Sequence, residues 1–160
     1  MNLMKKLRLF LSLDCKSKRM LFEAYFFLAW ARYSKRIPFS KLAPSLGVQM
    51  QETTYDKMPS HRKMLSGVSQ SIQLMSRYTF WESQCLVKAI AAMKMLEKRE
   101  IGSTLYLGTA RDENGELIAH AWLRSGPYYI TGAEGREEFT VVGKFAKQVG
   151  GGIHGSKRSS

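Results

Sequence analysis

The chain is poor in cysteine, in long apolar runs and in carboxylates, and each scarcity closes off a class of protein. Cysteine occurs twice in 160 residues, at Cys15 and Cys85, in contexts with little in common. The disulfide framework of a small secreted domain needs more than that, so the expected setting is a reducing one, the cytoplasm. Together with three histidines, the two cysteines show none of the close ligand spacing of a zinc site, and no metal is expected. The strongest apolar run, Met20 to Ala31, is twelve residues long and contains Glu23, against the roughly 20 residues that span a bilayer. A second stretch, Leu7 to Leu13, is broken by Arg8 and runs into Asp14-Cys15-Lys16 where a signal peptide would carry small residues before its cleavage site.

What remains is a globular composition with a lopsided charge. A hydrophobic content of 44% in 160 residues supplies the core of one domain of common size with a small helical appendage. Lysine and arginine number 25 against 13 carboxylates, a formal charge of +12. The excess is amino-terminal: residues 1–66 hold 13 basic and 4 acidic side chains, residues 67–160 hold 12 and 9. Such asymmetry points to an acidic partner, an anionic membrane surface touched peripherally, or nucleic acid. A solvated basic face that aids solubility is the plainer alternative.

Read for periodicity, the chain places helices first and strands later. Leu21 to Trp30 is helical by length and nearly apolar all round, which predicts burial on most sides. Pro38 breaks it, and a turn, a short helix over Leu42–Gly47 and a polar loop from Gln49 to Pro59 follow. From Ser60, Met64, Val68, Ile72 and Met75 recur every three or four residues as one helical stripe. A third helix starts near Ser83, a plausible N-cap, and carries Leu86, Ala89, Ile90, Met93 and Leu96 on one face. After Gly102 the period becomes two: Leu105 and Leu107 face one way, Tyr106 and Gly108 the other. Asp112-Glu113-Asn114-Gly115 is hairpin chemistry, with Leu117 to Leu123 as the partner strand and Ile118, His120 and Trp122 on one of its faces. Further strands are predicted at Tyr128–Ile130 and Phe139–Val142. The domain reading is a helical extension over 1–58, a catalytic domain over 59–149 and a disordered tail over 150–160.

Two blocks carry chemistry, Phe80-Trp81-Glu82-Ser83-Gln84-Cys85-Leu86 and Ala119-His120-Ala121-Trp122. A cysteine in the first turn of a helix lies beside unpaired backbone N–H groups and the positive end of the helix dipole, both of which favour thiolate. With His120 as its base, Cys85 attacks a peptide carbonyl, the imidazole protonates the leaving amine, and water hydrolyses the thioester; no cofactor is called for. The Cys85 backbone N–H is the natural oxyanion donor, with the side chains of Gln84 or Trp81 as further candidates. His61 in a polar loop and His154 in the tail have no such company.

A helix with cysteine at its start followed by a strand bearing histidine resembles the transglutaminase-like arm of the papain-like cysteine enzymes, an α+β fold in which a Cys-bearing helix packs on a small antiparallel sheet carrying His. More closely, the chain is similar to the standalone leader peptidases of lasso peptide biosynthesis. The resemblance runs over Leu21-Phe22-Glu23-Ala24, Ile37-Pro38-Phe39-Ser40-Lys41-Leu42-Ala43, Ser83-Gln84-Cys85-Leu86-Val87-Lys88-Ala89, Leu105-Tyr106-Leu107-Gly108 and Ala119-His120-Ala121-Trp122. It implies cleavage of a leader peptide from a ribosomally made precursor, together with a small leader-recognition protein and an ATP-consuming cyclase. The residues ahead of the catalytic helices read as helical, which leaves no place for a three-stranded leader-binding module, so a separate protein would present the substrate. In many relatives an aspartate about a dozen residues past the histidine orients the imidazole, and that place falls here at Gly132. Glu134 is one substitute; Thr131 or a backbone carbonyl beside a Cys–His dyad is the other.

Two further functions stand beside the peptidase. The same chemistry supports acyl transfer to an amine. A non-enzymatic basic module for nucleic acid or membrane ranks last, because no nucleic-acid motif is present and the Cys and His blocks would go unexplained.

Overall fold

A computed structural model describes residues 3–79 and 84–148. In chain order these residues form α1 (Leu3–Ser12), α2 (Cys15–Ser34), α3 (Phe39–Leu46), β1 (Val48–Gln49), α4 (Arg62–Ser76), α5 (Cys85–Glu97), β2 (Ser103–Arg111), β3 (Leu117–Ser125), β4 (Tyr128–Thr131) and β5 (Thr140–Lys147). The strands make one antiparallel sheet in the order β1-β5-β2-β3-β4. Helices segregated to one face of an antiparallel sheet define an α+β fold, as the sequence predicts. The predicted tail over 150–160, Ser83 and Trp81 lie outside the described residues, and the N-cap of α5 is Gln84 in place of the predicted Ser83.

Local chemistry accounts for the element boundaries. Asp14 caps α2 by accepting from the backbone N–H and the hydroxyl of Ser17. Pro38 precedes α3, where its fixed φ suits a helix entry. In the β2–β3 hairpin the Asp112 carboxylate accepts from the backbone of Asn114 and Glu116, and Gly115 takes φ +80°, the left-handed conformation that the turn requires. Strand β5 continues to Lys147, past the predicted Val142, because apolar alternation resumes after Gly143 with the buried Phe145.

The core lies between the sheet and three helices, and α5 is its centre. The sequence predicts one apolar stripe on α5, yet the helix is buried almost all round, from Val87 through Leu96, with α2 and α4 on one side and β2 and β3 on the other. Ala89, Ala91 and Ala92 permit that close approach. Lys94 of this helix is drawn along the surface of the core. Its amine bonds Glu97 at 2.9 Å and lies 5.5 Å from the centre of the Trp30 ring. Residues on both sides of position 58 share this core, since Ala24, Leu28, Leu42 and Leu46 pack in one cluster with Val68, Ile90 and Leu123.

Helix α2 departs from expectation in the opposite direction. Leu21, Ala24, Leu28 and Ala31 are buried, but Phe22, Phe26 and Tyr33 are 65%, 63% and 64% exposed. A helix at the rim of a helical layer has packing partners on one side only, so apolar residues all round do not imply burial all round.

A polar cluster holds residues 52–55 against the sheet face opposite α5. Arg124, fully buried, donates to the carbonyls of Thr53, Thr54 and Gly126 and, through Nε at 2.9 Å, to the Tyr106 hydroxyl. Glu52 joins Arg124, Lys144 and the hydroxyls of Tyr106 and Tyr55. The hydrogen bond from Lys144, helped by those two hydroxyls, outweighs burial and holds the Glu52 carboxyl down to about 2. Burial pushes the Tyr106 hydroxyl well above the ordinary tyrosine range.

Candidate active site

Cys85 is the first residue of α5. Gln84 has extended backbone angles, and its carbonyl accepts the first helical hydrogen bond, from Lys88 N–H at 3.1 Å, so the N–H groups at this end have no intrahelical partner. The thiol is half-buried at the edge of the core. Gln84 makes no side-chain cap bond; its Oε1 instead accepts from Lys35, just past the end of α2. That leaves the amide NH₂ of Gln84 as a donor. The Lys35 contact was not foreseeable from sequence, because 49 positions separate the two residues.

His120 lies on β3 directly opposite Gly108 of β2. The strand period of two places it beside Trp122, with ring centres 5.8 Å apart, and Phe139 stands 5.0 Å away on its other flank. Trp122 in turn stacks on Tyr106 at 5.6 Å with the rings 8° from parallel, so the imidazole rests on an aromatic row braced by the Arg124 cluster. A Cβ on Gly108 would stand 2.8 Å from the Trp122 ring and 2.9 Å from the Phe139 Cβ. The row needs glycine there.

The imidazole has a backbone partner. Nε2 lies 3.0 Å from the Gly132 carbonyl oxygen, and since a carbonyl only accepts, Nε2 carries the proton and Nδ1 keeps the lone pair in neutral His120. Gly132 stands at the position where the resemblance implies a carboxylate. It has φ +66°, and a Cβ there would fall 2.5 Å from the Ala121 carbonyl oxygen and 3.0 Å from the Trp122 Cβ, so no other residue fits this backbone. Thr131 does not take the role: its hydroxyl is buried without a hydrogen-bond partner. Glu134 is exposed, on the wall of the same cavity as His120.

Cys85 and His120 line two adjoining cavities. One, of about 510 Å³, is walled by α4, the first turn of α5 and the chain from Tyr129 to Glu134, with Gln73, Arg77 and Lys88 on its rim. The other, of about 750 Å³, is largely apolar, bounded by Phe39, Leu86, Leu107 and Val142. Strand topology opens this space. The last pair between β4 and β3 is Thr131 with Leu123, so among the described residues no strand pairs with the outer edge of β3 at His120. Among the described residues no cluster of His, Cys, Asp and Glu is suited to a metal, and no helix is long and apolar enough to cross a membrane.

A family model described as transglutaminase-like superfamily matches residues 29–144, which include Cys85, His120 and Gly132. No curated protein and no solved structure matches the chain. The match spans most of the chain, beginning within α2 and ending within β5, and the α+β core it covers is the one described above. The chain therefore belongs to the transglutaminase-like superfamily, whose members are typically cysteine-dependent enzymes that hydrolyse or transfer acyl groups.

Proposed function

We propose that this protein is a cytoplasmic cysteine peptidase that removes the leader from a ribosomally made lasso peptide precursor, with a small leader-recognition protein presenting the substrate and an ATP-consuming cyclase taking the product. The observation that supports the catalytic part is that Cys85 and His120 line the same two cavities, with the imidazole held through Nε2 and its Nδ1 lone pair available. The lasso assignment is supported by the sequence blocks around Cys85 and His120 and by two cavities, of about 510 and 750 Å³, that both border Cys85.

In this mechanism His120 Nδ1 takes the Cys85 thiol proton. The thiolate adds to the scissile carbonyl, and the oxyanion is met by the Cys85 backbone N–H and the Gln84 amide. The intermediate collapses to a thioester as the imidazolium protonates the departing amine. Water, deprotonated by the same ring, then releases the leader carboxylate and frees the sulfur. The Gly132 carbonyl holds the ring through both half-reactions, the role that a carboxylate fills in a Ser-His-Asp triad.

The test is to incubate the purified protein with a lasso precursor and a leader-recognition protein and to weigh the products. Release of leader should require Cys85 and His120, with Cys85→Ala and His120→Ala folded but inactive. Persistent cleavage by folded Cys85→Ala would sink the proposal, and faster incorporation of an added amine than of water would mark an acyltransferase.

A further inference from the structure

The outer side of the first two helices has a surface that the catalytic reading does not use. Phe22, Phe26 and Tyr33 lie along one line of α2, opposite the buried Leu21, Ala24, Leu28 and Ala31, and are 65%, 63% and 64% exposed. Phe10 of α1 packs edge-on against Phe22, with ring centres 5.9 Å apart. That contact joins the stripe to α1, where Met4 and Leu11 are 74% and 61% exposed. Cations flank the stripe: Arg8, Lys16, Arg19, Arg32 and Arg36 are all exposed. Acids are few on these two helices: residues 3–12 contain none, Glu23, the one acid within α2, is paired with Arg99 and Lys98, and Asp14, the α2 cap bonded by Ser17, is a single anion beside five exposed cations.

We propose that this face docks on an anionic lipid bilayer and holds the enzyme at a membrane surface. Charge complementarity names the sign of the occupant, and shape names its kind. Phe22 and Phe26 stand out from the outer side of the helix, and only Tyr33 borders a cavity, a shallow one shared with Arg32 and Arg36, so the phenylalanines suit insertion into a deformable apolar layer. From Phe22 to Tyr33 the stripe runs about 16 Å at the helical rise of 1.5 Å per residue, parallel to a surface. Apolar and aromatic residues on one line with arginine and lysine alongside is the pattern of helices that lie in the headgroup region, where each cation near an anionic surface adds to the binding. The stripe also ends at the cleft: Lys35, two residues past Tyr33, bonds Gln84 and lines the larger cavity beside Cys85. Docking in this way sets the mouth of the site close to the surface.

The inference is independent of peptide cleavage and is tested by sedimentation of the full-length protein with vesicles of phosphatidylcholine alone and of phosphatidylcholine mixed with phosphatidylglycerol. The expected result is partition onto the anionic vesicles only, weakened by salt. Phe22→Ser/Phe26→Ser and Arg19→Gln/Arg32→Gln should each lower that partition about tenfold or more, with unchanged thermal unfolding. Absence of binding to anionic vesicles overturns the proposal, as does equal binding by both double variants. So does a stable complex with a second protein that the Phe22→Ser/Phe26→Ser change abolishes while vesicles go unbound, which would make this face a protein interface.

Discussion

Replacing Gly132 with alanine tests whether a main-chain carbonyl does the work of a missing carboxylate. At φ +66° any L-residue incurs the left-handed penalty, about 1–2 kcal/mol. The new Cβ would also sit 2.5 Å from the Ala121 carbonyl oxygen, a backbone atom that can yield only if the chain from Ile130 to Ala133 shifts off β3, adding about 1–3 kcal/mol of overpacking strain. A fall in stability of about 2–5 kcal/mol is therefore expected. The same shift draws the carbonyl out of the 3.0 Å contact with His120 Nε2. The ring then turns and its tautomer is no longer set, for which about a hundredfold loss of kcat/KM is expected. Gly115→Ala is the control. It has φ +80° with open space around its Cβ, so it bears the conformational penalty of about 1–2 kcal/mol alone and should keep full activity. Leader release by mass spectrometry and thermal unfolding of both variants give the two numbers. If Gly132→Ala is folded and cleaves at the rate of Gly115→Ala, the carbonyl does not orient the imidazole.

Three further outcomes follow from the same contacts. Glu134→Gln should keep kcat/KM within about twofold, because the ring is held elsewhere; a loss of a hundredfold would make Glu134 the orienting acid. Arg124→Met leaves three carbonyls and the Tyr106 hydroxyl without their buried donor, and urea unfolding should show a loss of about 3–5 kcal/mol. A cost below about 1 kcal/mol would mean that the cluster is hydrated. Glu52 should make stability fall in acid. Its folded pKa is lowered from 4.5 to about 2, so its contribution is complete above 4.5 and disappears as the pH drops to about 2. Partial exposure of the carboxylate screens that contribution to about 1–2 kcal/mol. Wild type and Glu52→Gln should accordingly differ at neutral pH and converge in acid; a constant difference across the range would refute the linkage.

Much of the architecture was legible because period and turn chemistry are local. The alternation that paired Tyr106 with Gly108 and His120 with Trp122 survives unchanged in the sheet, and the Asp112–Gly115 turn closes the hairpin as its residue types require. Val68 and Ile72 of the predicted α4 stripe are fully buried. The misreadings concern surroundings. An apolar run does not say how many neighbours it will meet, so α5, wrapped on all sides, looked amphipathic, and α2, open on one side, looked buried. The two-residue β1 carried no periodic signal at all; its backbone pairing with Ala146 and Phe145 is what makes it a strand.

The candidate site divides along the same line. Cys85 in the first turn of a helix and His120 on a strand face are properties of short windows, and the residues themselves determined both. So was the gap: counting from His120 to Gly132 shows that a carboxylate is missing. What stands in for it was a matter of tertiary structure. A carbonyl is present at every residue and becomes a partner only where the fold aims it, and here that required a left-handed glycine lying against β3, an aromatic row carrying the imidazole, and a fourth strand whose pairing ends at Thr131, short of His120.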